Sequence, residues 1–348
     1  MVVAAVCAAV ALPANLHAQD HDAEPIHPKH VTAEMHAAVR KGLDYLKQNQ
    51  ARDGSWSGSR DGAHYPCAMT SLAGMAFLAH GNTPTRGPYA EQIRGAIDYL
   101  ITCSGPDGLI TSSHRDRGQP MHGHGFALMF LASVYGMETR PAVQRDLKRV
   151  IEAGIKLTGG AQSPLGGWTY NPGGGDEGSV TVTQVQALRA CRMAGFTVPD
   201  GVVNEAVGYL EKCQTPEGGI RYSFQSNNSP KLPISAAAVA TLYNAGDYDS
   251  DMAARCMQYV RTQFKQRANQ WNKGGGHAYY AHLYASQAFY QAGDDVFTEY
   301  FPGAAKQLLA SRAADGSWNG DGVGPVYGTA IALTILQLPY KYVPIYQR

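Results

Sequence analysis

The chain has 348 residues, of which 44% are hydrophobic and 16% charged, with a formal net charge of +1. That length suits one large domain or two ordinary ones, and the balance is that of a folded globular protein, which excludes a disordered chain. Near-neutral charge removes the basic footprint that nucleic-acid binding requires, so no nucleic-acid partner is expected.

Residues 2–12 form an uncharged apolar run that is too short to span a bilayer. Leu16-His17-Ala18 then offers a small residue before Gln19. Despite the missing basic n-region, this pattern predicts a signal peptide over 1–18 and an exported, periplasmic or secreted, protein; a disordered start is the alternative. Residues 19–32 are polar, with His and Pro, and are expected to be a flexible lead-in. No later stretch is long and apolar enough for a transmembrane helix. Beyond the leader, Cys67, Cys103, Cys191, Cys213 and Cys256 are scattered without paired spacing. They are expected to be small buried residues rather than a disulfide framework, with room for one disulfide at most.

From residue 33 the pattern becomes helical. Met35, Val39, Leu43 and Leu46 recur every three or four residues, which places them on one face of an amphipathic helix. After Asp53-Gly54, the segment 67–79 is apolar all round and must be buried all round. The alternation continues to the C-terminus. One-faced segments occupy 88–102, 141–157, 200–213, 249–264 and 297–310. Weakly charged ones occupy 121–136, 179–194, 232–245, 277–292 and 325–337. Glycine turns marked by Gly54, Gly108, Gly167, Gly219, Gly275 and Gly316 separate them at a period of roughly fifty residues, the signature of a repeat architecture. The expected fold is an all-α α6/α6 toroid: six inner helices in a ring, six outer helices around them, and one domain over 33–348. Short strands are expected at most near 168–170 and 220–224.

Gln50-Ala51-Arg52-Asp53-Gly54-Ser55-Trp56 and Asp315-Gly316-Ser317-Trp318 resemble the QW motif, Gln-x-x-Asp-Gly-x-Trp, of the prenyltransferase and squalene-oxidase repeat. That repeat builds terpenoid cyclases and protein prenyltransferase β subunits. The Gly-Gly-Trp turn at 166–168 and the Tyr/Pro-rich tail at 340–346 are similar to those of uncharacterised secreted bacterial proteins with this repeat. The motif's own role is structural. Gly54 reverses the chain, Gln50 bonds a neighbouring helix, and Trp56, Trp168, Trp271 and Trp318 are expected to fasten repeats together. A repeat fold identifies a scaffold, not an activity.

All six inner helices begin just after a glycine turn, so their N-termini are expected to open at one mouth, where free N–H groups favour anions. Glu177, His122, His124, His277 and Tyr280 are the catalytic candidates there. The bland reading of Glu177 is a helix cap, and that of His122 and His124 is hydrogen bonding between repeats. The cyclase acid motif Asp-x-Asp-Asp is absent, and Asp176-Glu177 is its nearest stand-in. Asp294-Asp295 falls at the opposite end and is expected to cap a turn. The zinc of prenyltransferases suggests a metal site drawn from His64, Cys67, His122, His124 and His277, although none of these spacings is a recognised ligand pair. Phe126, Phe130, Tyr284 and Tyr327 are the candidate ligand-binding aromatics of the lumen, with ordinary core packing as the alternative.

The leading expectation is therefore a repeat protein holding an apolar ligand, such as an isoprenoid lipid, in its lumen. The first alternative is an enzyme with its site at the mouth: zinc-dependent prenyltransferase-like, terpene cyclase-like, or a polysaccharide lyase or hydrolase. The second is a structural or protein-interaction scaffold. A wide apolar lumen would favour lipid binding or cyclisation, a shallow polar groove a carbohydrate or peptide substrate, and a filled barrel the structural or interaction role.

Overall fold

The computed structural model describes residues 27–58, 64–112, 115–116, 118–227, 229–266 and 277–347. The expected signal peptide, Trp271 and Gly275 lie outside the described residues. Twelve α-helices alternate between two layers. The outer helices are α1 (Ala33–Gln48), α3 (Ala90–Thr102), α5 (Pro141–Gly160), α7 (Asp200–Cys213), α9 (Asp251–Gln266) and α11 (Asp294–Ser311). The inner helices are α2 (Pro66–Ala79), α4 (Pro120–Tyr135), α6 (Gly178–Met193), α8 (Leu232–Ala245), α10 (Ala278–Ala292) and α12 (Pro325–Gln337). Each inner helix packs against the next, and α12 closes on α2, so the ring is complete. The expected α6/α6 toroid is what the chain forms. The short strands expected near 168–170 and 220–224 do not form. Only isolated bridges occur there, Trp168 with Glu177 and Gln214 with Ile220. Among the described residues no helix is long and apolar enough to cross a membrane.

The repeat is held by one set of bonds used again and again. The buried indoles of Trp56, Trp168 and Trp318 donate Nε1–H to the carbonyls of Leu46, Thr158 and Leu308, at 2.7, 2.8 and 2.7 Å. Each thereby ties the turn to the end of its own outer helix. Trp318 also lies against Gly42, where an added Cβ would come within 2.9 Å of the indole, so it touches α1 of the next repeat. Gln50 and Gln162 each donate to the turn carbonyl, Gly54 and Gly166, and to a carbonyl of the next outer helix, Gln92 and Val202. The bond to a neighbouring helix expected of Gln50 is made, whereas the Trp56 indole bond stays within its own repeat. Replacing Trp318 with alanine is expected to cost about 3–5 kcal/mol, the range for a fully buried aromatic. A urea midpoint close to that of the parent would refute it.

The glycines that make the close approach are Gly54, Gly108, Gly166, Gly218 and Gly316, all with φ near +90 to +101°. In the third and fourth repeats this is one residue before the expected markers Gly167 and Gly219. The adjacent glycine pair concealed which member takes the left-handed backbone.

The lumen is crossed rather than open from end to end. Gln186 of α6 donates to Gln287 Oε1 of α10 at 2.8 Å, past the intervening helix α8. At the C-terminal end of the inner helices the chain's own tail enters. Ile345 and Tyr346 are buried, and Arg189 and Gln291 both bond the Gln347 carbonyl. One aromatic expected in the lumen, Phe130, faces elsewhere, as do Phe77 and Phe289. Phe130 sits over Gly74 in the seam between α4 and α2, where a Cβ at Gly74 would be 2.4 Å from the ring. Phe77 packs outward against Trp56 and Tyr89, and Phe289 against Phe264 and Tyr300. Phe130 is therefore core, not a lumen ligand contact.

Candidate functional site at the barrel mouth

A single register organises the mouth. In five repeats the residue after the glycine turn donates its backbone N–H to a side chain near the start of the inner helix. Trp56 donates to Thr70, Ile110 to His124, Trp168 to Thr181, Ile220 to Ser235 and Trp318 to Thr329, at 2.8–3.1 Å. His282 holds the same place in α10 and pairs with Tyr300 of α11 at 2.8 Å. These six side chains point back into the layer between inner and outer helices. Two residues earlier, about 200° around each helix, come Ala68, His122, Ser179, Pro233, Tyr280 and Tyr327. All but Ala68 keep part of their surface exposed, and together they form the ring around the mouth.

This register corrects the pairing of His122 with His124. His124 is fully buried: its Nδ1 accepts the Ile110 N–H at 3.1 Å, which places the proton on Nε2, toward Thr158 Oγ1 at 3.1 Å. Both nitrogens are engaged, and burial pushes its pKa down to about 4. His124 thus lies in the buried layer behind the ring, not among the residues at the mouth. His124→Leu is expected to lose about 1–3 kcal/mol by stranding the Ile110 N–H, whereas His124→Thr, which restores the residue of three sister repeats, should lose less. Equal urea midpoints for the two variants would contradict this.

The expected zinc site does not assemble. Among the described residues no three His, Cys, Asp or Glu side chains gather as a metal requires. Cys67 is buried against Cys103. His64 is exposed and bonds the Gly58 carbonyl at 3.3 Å. His277 is exposed at the start of α10 and makes no side-chain cap. Their shared end of the barrel is not a shared point.

Glu177, Ser179 and His122 do meet. Glu177 is the N-cap of α6 and is 2% exposed. Its carboxylate accepts the N–H groups of Ser179 and Val180 at 2.9 and 2.6 Å and the Ser179 hydroxyl at 2.8 Å. Burial raises its pKa, and these bonds oppose the rise. With the Ser179 proton on Glu177, the His122 Nε2–H donates to Ser179 Oγ at 3.2 Å. Burial holds His122 neutral, its pKa pushed down to about 4. Capping, the bland reading of Glu177, is what its oxygens do, yet the cap lies beneath the ring. Tyr280 reaches across from α10, its hydroxyl 3.3 Å from the Ser179 carbonyl and its ring edge-on to Tyr284 at 4.8 Å. Tyr284 and Phe126 each lie one helical turn below a ring member, and both are buried.

Three site residues escaped the sequence reading. Tyr170 and Tyr222 each stand two residues after the turn residue of successive repeats, and their hydroxyls meet at 2.5 Å. Tyr222, together with Phe224, remains exposed as an aromatic ledge, with the Arg221 guanidinium 5.5 Å over the Phe224 ring. Aligning the repeats would have found both tyrosines. Asp321 precedes α12 with φ +51°, and its carboxylate accepts the N–H groups of Tyr279 and Tyr280 at 3.1 Å each and the Tyr327 hydroxyl at 3.3 Å. It caps α10, which lacks a side-chain cap of its own. A lone Asp between two glycines was its only signal.

No protein-family model matches the chain, and no curated relative matches it. Solved structures of the same α/α-toroid fold do. Type II terpene cyclase MstE from Scytonema, solved with geranylgeranyl dihydroxybenzoate, superposes with a TM-score of 0.62 at 13% identity, covering 89% of this chain and 98% of its own. The α-1,6-mannanase GH76A of Salegentibacter sp. HEL1_6, an inactive variant with α-1,6-mannotriose, gives 0.63 at 7% identity, covering 87% and 98%. A protein from Actinoplanes gives 0.58 at 16% identity, covering 88% and 99%. The chain is thus a complete α/α toroid similar to both a terpene cyclase and a glycoside hydrolase, and identities this low define the fold alone.

Proposed function

We propose that the chain binds a hydroxyl-rich ligand of the saccharide class at the mouth of the toroid. The observation that carries this reading is the ring itself. His122, Ser179, Tyr280 and Tyr327 stand at one register, above the buried carboxylate of Glu177 and the half-buried one of Asp321 and beside the exposed Tyr222–Phe224 ledge. Carboxylate, hydroxyl and imidazole groups suit sugar hydroxyls, and an exposed aromatic face suits the apolar face of a pyranose. A mouth built this way supports the polar-groove alternative. In the mannanase with a similar fold, substitution of two consecutive aspartates gives the inactive variant. Here Asp176 and Glu177 are consecutive, but Asp176 turns toward Tyr209 of α7 while Glu177 faces the ring. Binding, not cleavage, is what the arrangement favours.

The isoprenoid reading fares less well. A prenyl chain that reached the level of Gln186 and Gln287 would meet their bond across the lumen.

Calorimetric titration with manno-, gluco- and uronate oligosaccharides tests the proposal. Micromolar to millimolar binding is expected, weakened about tenfold, or 1.4 kcal/mol, by Tyr222→Ala. No affinity for any saccharide, with isoprenoid lipid recovered by solvent extraction of the purified protein, would replace it with the lumen reading. Release of sugar product that stops in Glu177→Gln would extend binding to hydrolysis.

A further inference from the structure

The hydrogen bonds of the ring fix where its protons lie. A hydroxyl bonded to a carboxylate or a backbone carbonyl must donate, because those oxygens only accept. The Ser179 hydroxyl gives its proton to Glu177, 2.8 Å from either carboxylate oxygen. The Tyr280 hydroxyl donates to the Ser179 carbonyl and the Tyr327 hydroxyl to Asp321, at 3.3 Å each. His122 spends its Nε2–H on Ser179 Oγ, which leaves Nδ1 as a lone pair. These ring members have committed their protons within the protein, and what they keep for a ligand is lone pairs. In the Tyr170–Tyr222 pair one proton joins the two hydroxyls, so the other is left on the ledge beside the ring.

The charge of the mouth has the same sense. Among the described residues neither Glu177 nor Asp321 is ion-paired with a lysine or arginine, and Asp176 stands next to Glu177 as a like charge. Arg221 turns back to the carbonyls of Lys212 and Cys213. Lys231 is exposed before α8, and the exposed His277 opposes the effect of burial on Asp321. One turn below Tyr280, the Tyr284 hydroxyl is fully buried and has no hydrogen-bond partner among the described residues. The two rings meet edge-on at 4.8 Å, and aromatic surroundings of this kind favour a cation over an anion.

We propose that the mouth selects an amine-bearing saccharide, with the ammonium group of an amino sugar set against Tyr280, where the hydroxyl oxygens of Tyr280 and of Tyr284 below it accept its N–H groups. An ammonium offers three donors and no acceptor, the complement of a ring that has kept only lone pairs. A uronate offers the reverse and meets like charge from Glu177 and Asp321. The inference rests on the saccharide reading of the mouth and adds to it the charge of the ligand.

Calorimetric titration of the full chain at about pH 6.5 gives the test, because there the amine carries its proton while His122 stays neutral. The probes are short oligomers, matched in length, of glucosamine, N-acetylglucosamine, glucose and glucuronate. The glucosamine oligomer is expected to bind about tenfold more tightly than the glucose and acetylated ones, with the uronate weakest. Tyr280→Phe and Tyr284→Phe, which remove a hydroxyl and keep the ring, should each weaken the glucosamine oligomer more than the glucose one. Equal affinity for the amine and neutral oligomers would overturn the selection and leave the saccharide reading standing. Failure of every probe to bind would remove that reading and the inference with it. Tightest binding of the acetylated or uronate oligomer would show that the ring offers protons, against the proposal. An amine preference undiminished in both variants would overturn the placement against Tyr280. The comparison of probes needs only the wild-type chain, so a variant that misfolds leaves it decisive.

Discussion

Gly166→Ala is expected to cost roughly 3–5 kcal/mol, a large part of the 5–15 kcal/mol margin of a folded domain. Two penalties act together. The residue has φ +101°, a backbone region that costs an L-residue about 1–2 kcal/mol. The added Cβ would also lie 2.1 Å from the Glu205 carbonyl oxygen of α7, and a helix backbone cannot turn aside as a side chain would. The same contact recurs around the ring. The corresponding distances are 2.2 Å from Gly54 to Gly95, 2.4 Å from Gly108 to Ala153, 2.5 Å from Gly218 to Arg255, and 2.8 Å from Gly316 to Lys41. The last of these joins the end of the chain to its beginning. Gly195→Ala is the control: φ is +88°, and nothing lies within 4 Å of its Cβ, so only the backbone penalty remains. Urea midpoints should separate the two variants by at least about 2 kcal/mol. Equal losses would mean that the turn does not clamp neighbouring outer helices.

The fold was legible because its two helix classes differ in a property that sequence carries directly. α2 is buried at every residue, whereas α1 buries one stripe through Met35, Val39, Leu43 and Leu46. The site was legible only in part. Glu177, His122 and Tyr280 are legible because each stands near an inner helix N-terminus, and Tyr327 as an inner-helix aromatic. His124 was grouped with His122 on proximity, although two residues along a helix turn a side chain about 200°. That rotation separates a mouth residue from a structural one. Tyr170, Tyr222 and Asp321 lie in turns, where no periodicity marks direction; comparison of repeat with repeat places the two tyrosines, and Asp321 has no counterpart signal beyond its flanking glycines. The tail was read as a family feature, and nothing in Tyr340–Tyr346 says that it closes the lumen. That placement depends on Arg189 and Gln291, whose shared partner, the Gln347 carbonyl, is set by the ring closing around it.

Acidification is expected to unfold the protein through its histidines. Burial pushes His122 and His124 down to about 4 and His282 down to about 3. His36 and His80 are lowered as well, by burial first and then by neighbouring charge, in a cluster with Arg40 and Tyr340. In the unfolded chain all five titrate near 6.5, so below that pH the unfolded state binds more protons than the folded one. Stability is therefore fully present above about pH 6.5 and falls as pH drops toward 4. His122 and His124 each contribute a loss on the order of 3 kcal/mol, because each titrates near 4 when folded and near 6.5 when unfolded. Lowered carboxylates, Asp53 and Glu138 among them, add to the loss at still lower pH. Glu177 and Asp321 act in the opposite sense, because burial raises them and protonation relieves their cost. Two raised acids do not outweigh five depressed histidines in the window between pH 6.5 and 4. Urea midpoints measured at pH 7.5, 6, 5 and 4 should fall steadily by several kcal/mol. In His124→Thr the slope should flatten by one proton, about 1.4 kcal/mol per pH unit. Stability that stays level from pH 6.5 to 4 would show that these imidazoles are solvated and that the layer behind the mouth is not closed around them.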